Sequence, residues 1–123
     1  MVILSGKCGD NAYFKLYNDG LLEISRTGEL YSYKSDMAPW YKYIVTEVRI
    51  SDGITGIGAR DFYGLSMLTK VKLPNTLVSL YSGAFANTGI TEIIIPNTIR
   101  NYRFFVCFFS IKNICDPVTH RFV

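Results

Sequence analysis

Hydrophobic and polar positions repeat along the second half of the chain with a period of about 22 residues. The clearest unit is residues 68–89, where a short alternating run ends at a proline and a second apolar run follows. Equivalent positions carry similar residues: Thr46, Thr69 and Thr91; Val48, Val71 and Ile93; Ile50, Leu73 and Ile95; Asp52, Asn75 and Asn97; Ile54, Leu77 and Ile99; Ile57, Leu80 and Tyr102; and Phe62 with Phe85. A fourth, broken copy begins at IKNICDP, where Ile114 and Pro117 take the strand and proline positions.

Each unit reads as a strand, a turn and a returning segment. The run from Lys70 to Leu73 alternates outward and inward side chains, as a half-buried strand does. Pro74 ends the strand because proline has no N–H to donate, and Asn-Thr or Asp-Gly then turns the chain. The returning segment buries Leu77, Leu80 and Phe85 on the opposite wall. We therefore expect one coil per repeat.

A single coil of this size does not fold alone. Ordering about 22 residues costs more conformational free energy than burying about five apolar side chains returns. Stacked coils pair their strands and share a wall of Ile, Leu and Phe, so each copy depends on its neighbours. The sequence therefore predicts a mainly β solenoid of about three coils plus a partial fourth, covering residues 46–123 with a degenerate C-terminal coil.

The first 45 residues follow a different pattern. AYFKLYNDGLLEISR, residues 12–26, reads as two strands joined by Asn18-Asp19-Gly20, which is a strong hairpin signal. A hairpin at the start of a solenoid covers backbone groups and apolar side chains that the first coil would otherwise expose. We therefore divide the chain into an N-terminal β-hairpin capping segment, 1–45, and the repeats, 46–123.

These units resemble the BspA-type leucine-rich repeats, which read approximately L-x-x-I-x-I-P-x-x-V-x-x-I-G-x-x-A-F. LTKVKLPNTLVSLYSGAF fits this pattern closely, and TEVRISDGITGIGARDF fits except that Ser51 replaces the proline and Asp61 the alanine. In the third copy, RFFVCFF stands where the pattern has G-x-x-A-F. SGKCGDN, NDGLLEISRTGEL and APWYKY also resemble the region before such repeats in Firmicutes surface proteins. The resemblance implies a leucine-rich-repeat fold and a secreted or cell-surface protein that takes part in adhesion or host interaction.

Length, composition and charge narrow the class of protein. The 123 residues are 49% hydrophobic, which suits one domain with a buried core. The net charge of +3 is small and scattered, so we expect no nucleic-acid partner. The longest apolar run, FFVCFF, is shorter than a membrane helix, so we expect no membrane insertion. The apolar run 1–4 is also too short for the centre of a signal peptide, which leaves a cytoplasmic location open as well.

No motif predicts catalysis, a cofactor or a metal site, and we expect a non-enzymatic protein. GITGIG, residues 53–58, has the spacing G-x-x-G-x-G, so we interpret it as a repeat turn rather than a phosphate loop. Cys107, Cys115, Asp116 and His120 are metal-ligand residue types without the spacing of a paired zinc site. We interpret His120 as solvated and Cys107 as a buried thiol at the position of a core phenylalanine.

The remaining acids and cysteines also favour structural roles. Paired carboxylates for acid–base catalysis would have to converge in a pocket. The acids instead stand beside turn residues, where Asp accepts local backbone hydrogen bonds: Asp10, Asp19, Asp36 and Asp52. The three cysteines have no C-x-x-C spacing and allow at most one bridge, so they do not form a disulfide scaffold.

The repeat alternation predicts an outward row of side chains on the stacked strands. The row comprises Glu47, Arg49, Lys70, Lys72, Glu92 and Ile94, and continues with Asn113 and Cys115. Solenoids bind partners through such a face. The charges of the row are mixed, so cross-strand pairing of Lys70 and Lys72 with the flanking glutamates explains the same residues equally well. Both interpretations stay open at this point.

A second candidate surface is an aromatic cluster, in which we considered sugar stacking: Tyr31, Tyr33, Trp40, Tyr41 and Tyr43. Aromatic rings are enriched at interfaces, where one side is apolar and the other is wet. The same residues would also pack the cap against the first coil, and the sequence favours that packing role.

These observations predict a protein-interaction or adhesion module that binds a host or bacterial surface protein through the strand face. Two alternatives stay open. A structural, self-assembling unit would form a homodimer through the C-terminal edge around RFFVCFF and residues 114–117. A carbohydrate-binding module would hold a glycan with the Tyr/Trp cluster.

Overall fold

The computed structural model describes residues 1–33, 37–81, 83–90, 93–94 and 96–99, and the backbone of 115–116 and 121–122. Within these residues the chain is built from β-strands and turns, which confirms the prediction of a mainly β protein. The strands are β1 Val2–Lys7, β2 Ala12–Tyr17, β3 Leu21–Arg26, β4 Gly28–Glu29, β5 Glu47–Ile50, β6 Ile54–Ile57, β7 Lys70–Lys72, β8 Ser79–Leu80, β9 Ile93–Ile94, β10 Cys115–Asp116 and β11 Arg121–Phe122.

The strands β1, β2, β3, β5 and β7 form a five-stranded sheet in that order. The first three strands are antiparallel neighbours, whereas β3, β5 and β7 run parallel. Equivalent repeat positions stack as predicted where β5 meets β7, because Val48 pairs with Val71. The next equivalent residue, Ile93, is buried in β9, and this strand pairs antiparallel with β11.

A second parallel sheet contains β4, β6 and β8. Each of its strands follows a strand of the first sheet, so one coil contributes a strand to both sheets. The threonines of the two Asn-Thr turns link successive coils: the Thr76 hydroxyl donates to the Ile54 carbonyl at 2.8 Å, and the Thr98 hydroxyl donates to the Leu77 carbonyl at 2.6 Å. The turn after each repeat proline therefore ties its coil to the preceding one.

The N-terminal segment is continuous with both sheets. The predicted hairpin between β2 and β3 is present, and the Gly20 N–H donates to the Tyr17 carbonyl in its turn. After the hairpin, β3 pairs with β5 and β4 pairs with β6, both in the parallel direction of the repeats. Residues from Leu21 onward thus follow the course of a coil, and β1 and β2 are the antiparallel addition. The division of the chain at residue 45 and the capping role stay predictions.

The hydrophobic core contains a row of aromatic rings that runs from the hairpin into the repeats. Trp40 stacks on Phe62 with ring centroids 5.8 Å apart, and Phe62 stacks on Phe85 at 5.2 Å. Phe14 of β2 meets Trp40 edge-on at 5.0 Å. All four side chains are buried. Trp40 therefore occupies, one layer earlier, the place that Phe62 and Phe85 hold in their layers.

A close approach between layers occurs at Gly53, which has φ +110°. A Cβ added there would lie 2.7 Å from the Arg26 carbonyl oxygen. We expect Gly53→Ala to lower the free energy of unfolding by about 1–3 kcal/mol, because the variant is strained in backbone and in packing. Urea denaturation followed by circular dichroism measures this. Gly28→Ala is the matched control, because Gly28 has φ +87° but nothing within 4 Å of an added Cβ; an equal loss in both variants would contradict the packing effect.

Candidate binding surface

The outward face of the five-stranded sheet gathers four of the binding residues predicted from the sequence. The register places Arg49 beside Lys72, and Glu47 beside Lys70. Arg49, Lys70 and Lys72 are exposed, and Glu47 is partly exposed. Inward residues of the same strands, such as Val48, are buried. The predicted alternation of outward and inward side chains is therefore present on β5 and β7.

Among the described residues, the ion pair on this face runs along a strand rather than across strands. The Arg49 Nε donates to the Glu47 carboxylate at 3.0 Å. Residues two apart on a strand point to the same face, and a guanidinium is a good match for a carboxylate. Lys70 lies opposite Glu47 in register, yet among the described residues no ion pair joins them. Glu47 therefore pairs with Arg49 of its own strand, whereas the sequence had left open a cross-strand pairing with Lys70.

Other members of the predicted row lie beyond β7. Ile94 is 66% exposed in β9. A groove of about 310 Å³ is lined by Val71, Lys72, Leu73, Asn75, Ile93, Ile94 and Pro96. Glu92 and Asn113 lie outside the described residues, and Cys115 is described by its backbone alone, in β10. Lys72 therefore stands at the edge of a largely apolar groove.

The face continues onto β1, β2 and β3, which are called the N-terminal hairpin from here on. Sequence reasoning left these strands out of the binding surface. Lys15 lies opposite Glu23, and Lys7 lies opposite Tyr13. The Arg26 guanidinium lies over the Tyr13 ring, 4.8 Å from its centroid. A hollow of about 300 Å³ opens here, lined by Ser5, Gly6, Tyr13, Phe14, Lys15, Ser25 and Arg26. The sequence pattern that could have identified these residues is the alternation in AYFKLY, where the tyrosines and the lysine take the outward positions.

The aromatic cluster considered for sugar binding is divided between core and surface. Trp40 is fully buried, and its Nε1–H donates to the Asp61 carbonyl at 2.8 Å. Its ring is covered by Phe14 and Phe62. The assignment of Trp40 to a surface site is therefore corrected: the residue serves packing, the role that the sequence favoured.

The tyrosines of the cluster lie closer to solvent. Tyr33 is half-buried and meets Trp40 edge-on at 6.5 Å. The Tyr31 hydroxyl donates to the Asp10 carboxylate at 3.2 Å. Tyr41 and Tyr43 are exposed and border a hollow of about 160 Å³ that Ile44 and Met67 also line. The five aromatic residues thus do not form one surface.

The other candidate motifs take structural positions. Most of GITGIG is strand β6 rather than a turn, because Ile54–Ile57 pairs with β4 and β8. Asp19 accepts a hydrogen bond from the Leu21 N–H at 3.2 Å, as expected for a turn acceptor. Asp36, Cys107 and His120 lie outside the described residues, and Asp116 is described by its backbone alone. Within the described part of the chain, no group of three metal-ligand side chains comes together.

Asp61, the residue that replaces the repeat alanine, places a buried carboxyl group in the core. Its side chain is 1% exposed, and its Oδ2 accepts a hydrogen bond from the Gly58 N–H at 2.6 Å. Its Oδ1 has no hydrogen-bond partner among the described residues. Burial raises the pKa of Asp61 well above its ordinary value, although the Gly58 hydrogen bond opposes this shift. Burial, and then the Asp61 charge, raises the pKa of the Cys8 thiol to about 12, so this thiol is unreactive.

Parallel strands that stack at a regular sequence period, joined by turns and filled by one aromatic ring per layer, define a leucine-rich-repeat solenoid. The family model described as BspA type leucine rich repeat region (6 copies) matches residues 38–119. The chain therefore belongs to the BspA-type leucine-rich-repeat family, as its repeats predict. Proteins of this class are typically interaction modules rather than enzymes.

A solved structure supports the same fold. The chain is similar to a leucine-rich repeat protein from Eubacterium ventriosum ATCC 27560, known from a crystal structure at 2.50 Å resolution, with 36% sequence identity and a TM-score of 0.67. The similarity covers 72% of this chain and 24% of that protein, so this chain spans about a quarter of its relative's length. A search of curated protein sequences found no significant match. In the described part of the chain, no helix has the length and apolarity that a membrane crossing requires.

Proposed function

We propose that this chain is a non-enzymatic protein-interaction module whose partner binds the outward face of the five-stranded sheet. Glu47, Arg49, Lys70 and Lys72 contribute to this face, and the predicted row extends it to Glu92 and Ile94. Leucine-rich-repeat proteins commonly bind other proteins, which supports the proposal. The observation that carries it is the position of Lys72 at the edge of a groove lined mainly by apolar residues, with Lys70 exposed on the same strand. Among the described residues, neither lysine has a carboxylate partner.

The partner that we propose is a host or bacterial surface protein, and the role is adhesion. BspA-type repeats are often surface-associated, which supports a secreted or cell-surface location. A groove lined mainly by apolar side chains, with Lys72 at its edge, offers an anchor for one apolar side chain and a rim for polar contacts, as protein interfaces have. A mixed-charge face also discriminates between partners, because like charges brought together are costly.

A second candidate is carbohydrate binding, which the exposed rings of Tyr41 and Tyr43 favour. The two side chains border the same hollow, and aromatic rings offer flat apolar surfaces to a sugar. Trp40 takes no part in this alternative, because it is buried. Self-assembly through the C-terminal edge is a third candidate, favoured by the position of β10 at the outside of the β10-β11-β9 sheet.

The test is affinity capture of bacterial and host surface proteins on the immobilised chain, with the bound proteins identified by mass spectrometry. We expect the double variant Lys70→Glu, Lys72→Glu to lose a protein that the wild type retains. The control Lys42→Glu, Arg60→Glu makes the same charge change outside the five-stranded sheet and should retain it. Unchanged capture by the Lys70, Lys72 variant would contradict the proposal, and capture that enzymatic deglycosylation abolishes would favour the glycan alternative.

A further inference from the structure

We infer that the N-terminal hairpin supplies half of the partner-binding face, and that the partner presents an acidic protein segment to that face. The inference rests on the proposed function and names the partner's chemistry. It also changes the role of residues 1–26, which the sequence assigned to capping alone.

The five-stranded sheet is continuous from the N-terminal strands to the repeats. One line of paired residues crosses all five strands: Ser5, Lys15, Glu23, Arg49 and Lys72. Residues directly opposite each other on neighbouring strands place their side chains on the same face. At about 4.8 Å between strands, this line is about 19 Å long. The face of the repeats therefore passes without a break onto β2 and β1.

Charged side chains are unevenly distributed on this face. Cations lie at both ends, with Lys7, Lys15 and Arg26 on the hairpin and Arg49, Lys70 and Lys72 on the repeats. The acids lie between them, and each is engaged within the face. Glu47 binds Arg49, and Glu23 accepts a hydrogen bond from the Tyr17 hydroxyl at 3.3 Å. Among the described residues, no ion pair occupies the lysines at either end.

The charges and recesses of this face favour one kind of anion. Glu23 and Glu47 in the middle of the face repel a uniformly charged polyanion, whereas a peptide can place neutral residues there. The groove beside Lys72 and the hollow beside Lys15 each have room for a side chain, at about 310 and 300 Å³. The groove is lined mainly by apolar residues, and the hollow offers the Tyr13 ring and hydroxyl groups. An acidic protein segment can pair with the cations at both ends of the face and place a side chain in each of the two recesses.

The experiment measures binding of a fluorescein-labelled peptide by anisotropy. The peptide has about ten residues, with three Glu at each end and Ala between them, so it reaches about 33 Å when extended, crosses the whole face and places neutral residues over its centre. Three double variants are compared with the wild type: Lys7→Glu, Lys15→Glu on the hairpin; Lys70→Glu, Lys72→Glu on the repeats; and Lys42→Glu, Arg60→Glu outside the sheet. Circular dichroism checks that each variant keeps its fold.

We expect the hairpin and repeat variants each to weaken peptide binding about tenfold or more, while the outside variant changes it by less than about twofold. Binding should also weaken when NaCl rises from ~20 to ~150 mM, because salt screens exposed charges. A hairpin variant that binds the peptide like the outside variant would overturn the inference. In that case, loss of partner capture by the Lys70, Lys72 variant would still support the proposed function.

Two further outcomes would distinguish an acidic protein segment from an anionic polysaccharide, and would test the proposed function itself. Heparin binding with the same dependence on the variants, and no peptide binding, would overturn the acidic protein segment in favour of an anionic polysaccharide. If all three variants bind peptide and capture protein like the wild type, then both the inference and the proposed function fail. The two proposals are thus tested by different readouts.

Discussion

Replacing Phe62 with alanine is expected to lower the free energy of unfolding by about 3–5 kcal/mol, the usual cost of removing a buried phenylalanine. Phe62 is fully buried and stacks on Trp40 on one side and on Phe85 on the other, with ring planes 19° and 16° apart. The variant therefore loses two aromatic contacts as well as buried area, and leaves a cavity between layers. Because a domain of this size is stable by about 5–15 kcal/mol, the change is a large fraction of its stability.

The measurement is urea denaturation followed by the fluorescence of Trp40, the single tryptophan of the chain. Trp40 is in direct contact with the site of the change, so its emission also reports a loosened core. The control is Tyr43→Ala, which removes an aromatic ring that is 41% exposed and lies outside the buried ring row. We expect the control to change stability by less than about 1 kcal/mol. A Phe62→Ala effect as small as the control's would contradict the view that the ring row joins the layers.

The internal repeats allowed a stack of coils to be predicted from the sequence. Val48 and Val71 hold the same place in successive repeats, and a period of about 22 residues with inward apolar positions admits few arrangements other than stacked coils. The strand ends were equally visible, because Pro74 and Pro96 have no N–H for a ladder. The same regularity makes Val48 and Val71 neighbours in the sheet, so the outward direction of Arg49 and Lys72 followed from the alternation.

The coil-like course of the N-terminal segment was harder to predict. Leu22 and Ile24 pair with Val48 and Ile50, but the step along the chain to this next layer is longer than the repeat period. Trp40 also stands where the repeats have phenylalanine, so the aromatic position was not recognised as equivalent. Without that equivalence, β3 looked like the end of a separate hairpin rather than a strand of the parallel ladder.

Partner choice among charged side chains depends on distances that no sequence period specifies. Glu47 has Arg49 on its own strand and Lys70 opposite, and both arrangements satisfy the same pattern. The burial of Asp61 was likewise indicated only by its departure from the repeat alanine. Patterns therefore predicted which face a residue lies on, whereas packing decided what it touches there.

Asp61→Asn is expected to raise the free energy of unfolding at neutral pH. The variant should also lose the part of the pH dependence of this free energy that Asp61 contributes. The pKa of Asp61 is raised in the folded state because burial disfavours the charged carboxylate. Below the unfolded-state pKa, about 3.9, both states are protonated and the full stability is present. As pH rises, the unfolded state loses its proton first, so stability falls until the pH passes the folded-state pKa. Asparagine has no such proton, so the variant's advantage should grow over this interval and then level off.

Urea denaturation at a series of pH values from about 4 upward measures this difference, because it records the slope that a shifted pKa produces. The asparagine oxygen keeps the hydrogen bond from the Gly58 N–H, whereas Asp61→Ala leaves that buried donor unpaired. We therefore expect both variants to lose the same pH-dependent component, with Asp61→Ala less stable than Asp61→Asn by about 1–3 kcal/mol at every pH. A slope in Asp61→Asn equal to that of the wild type would show that the buried carboxylate does not carry the pH dependence.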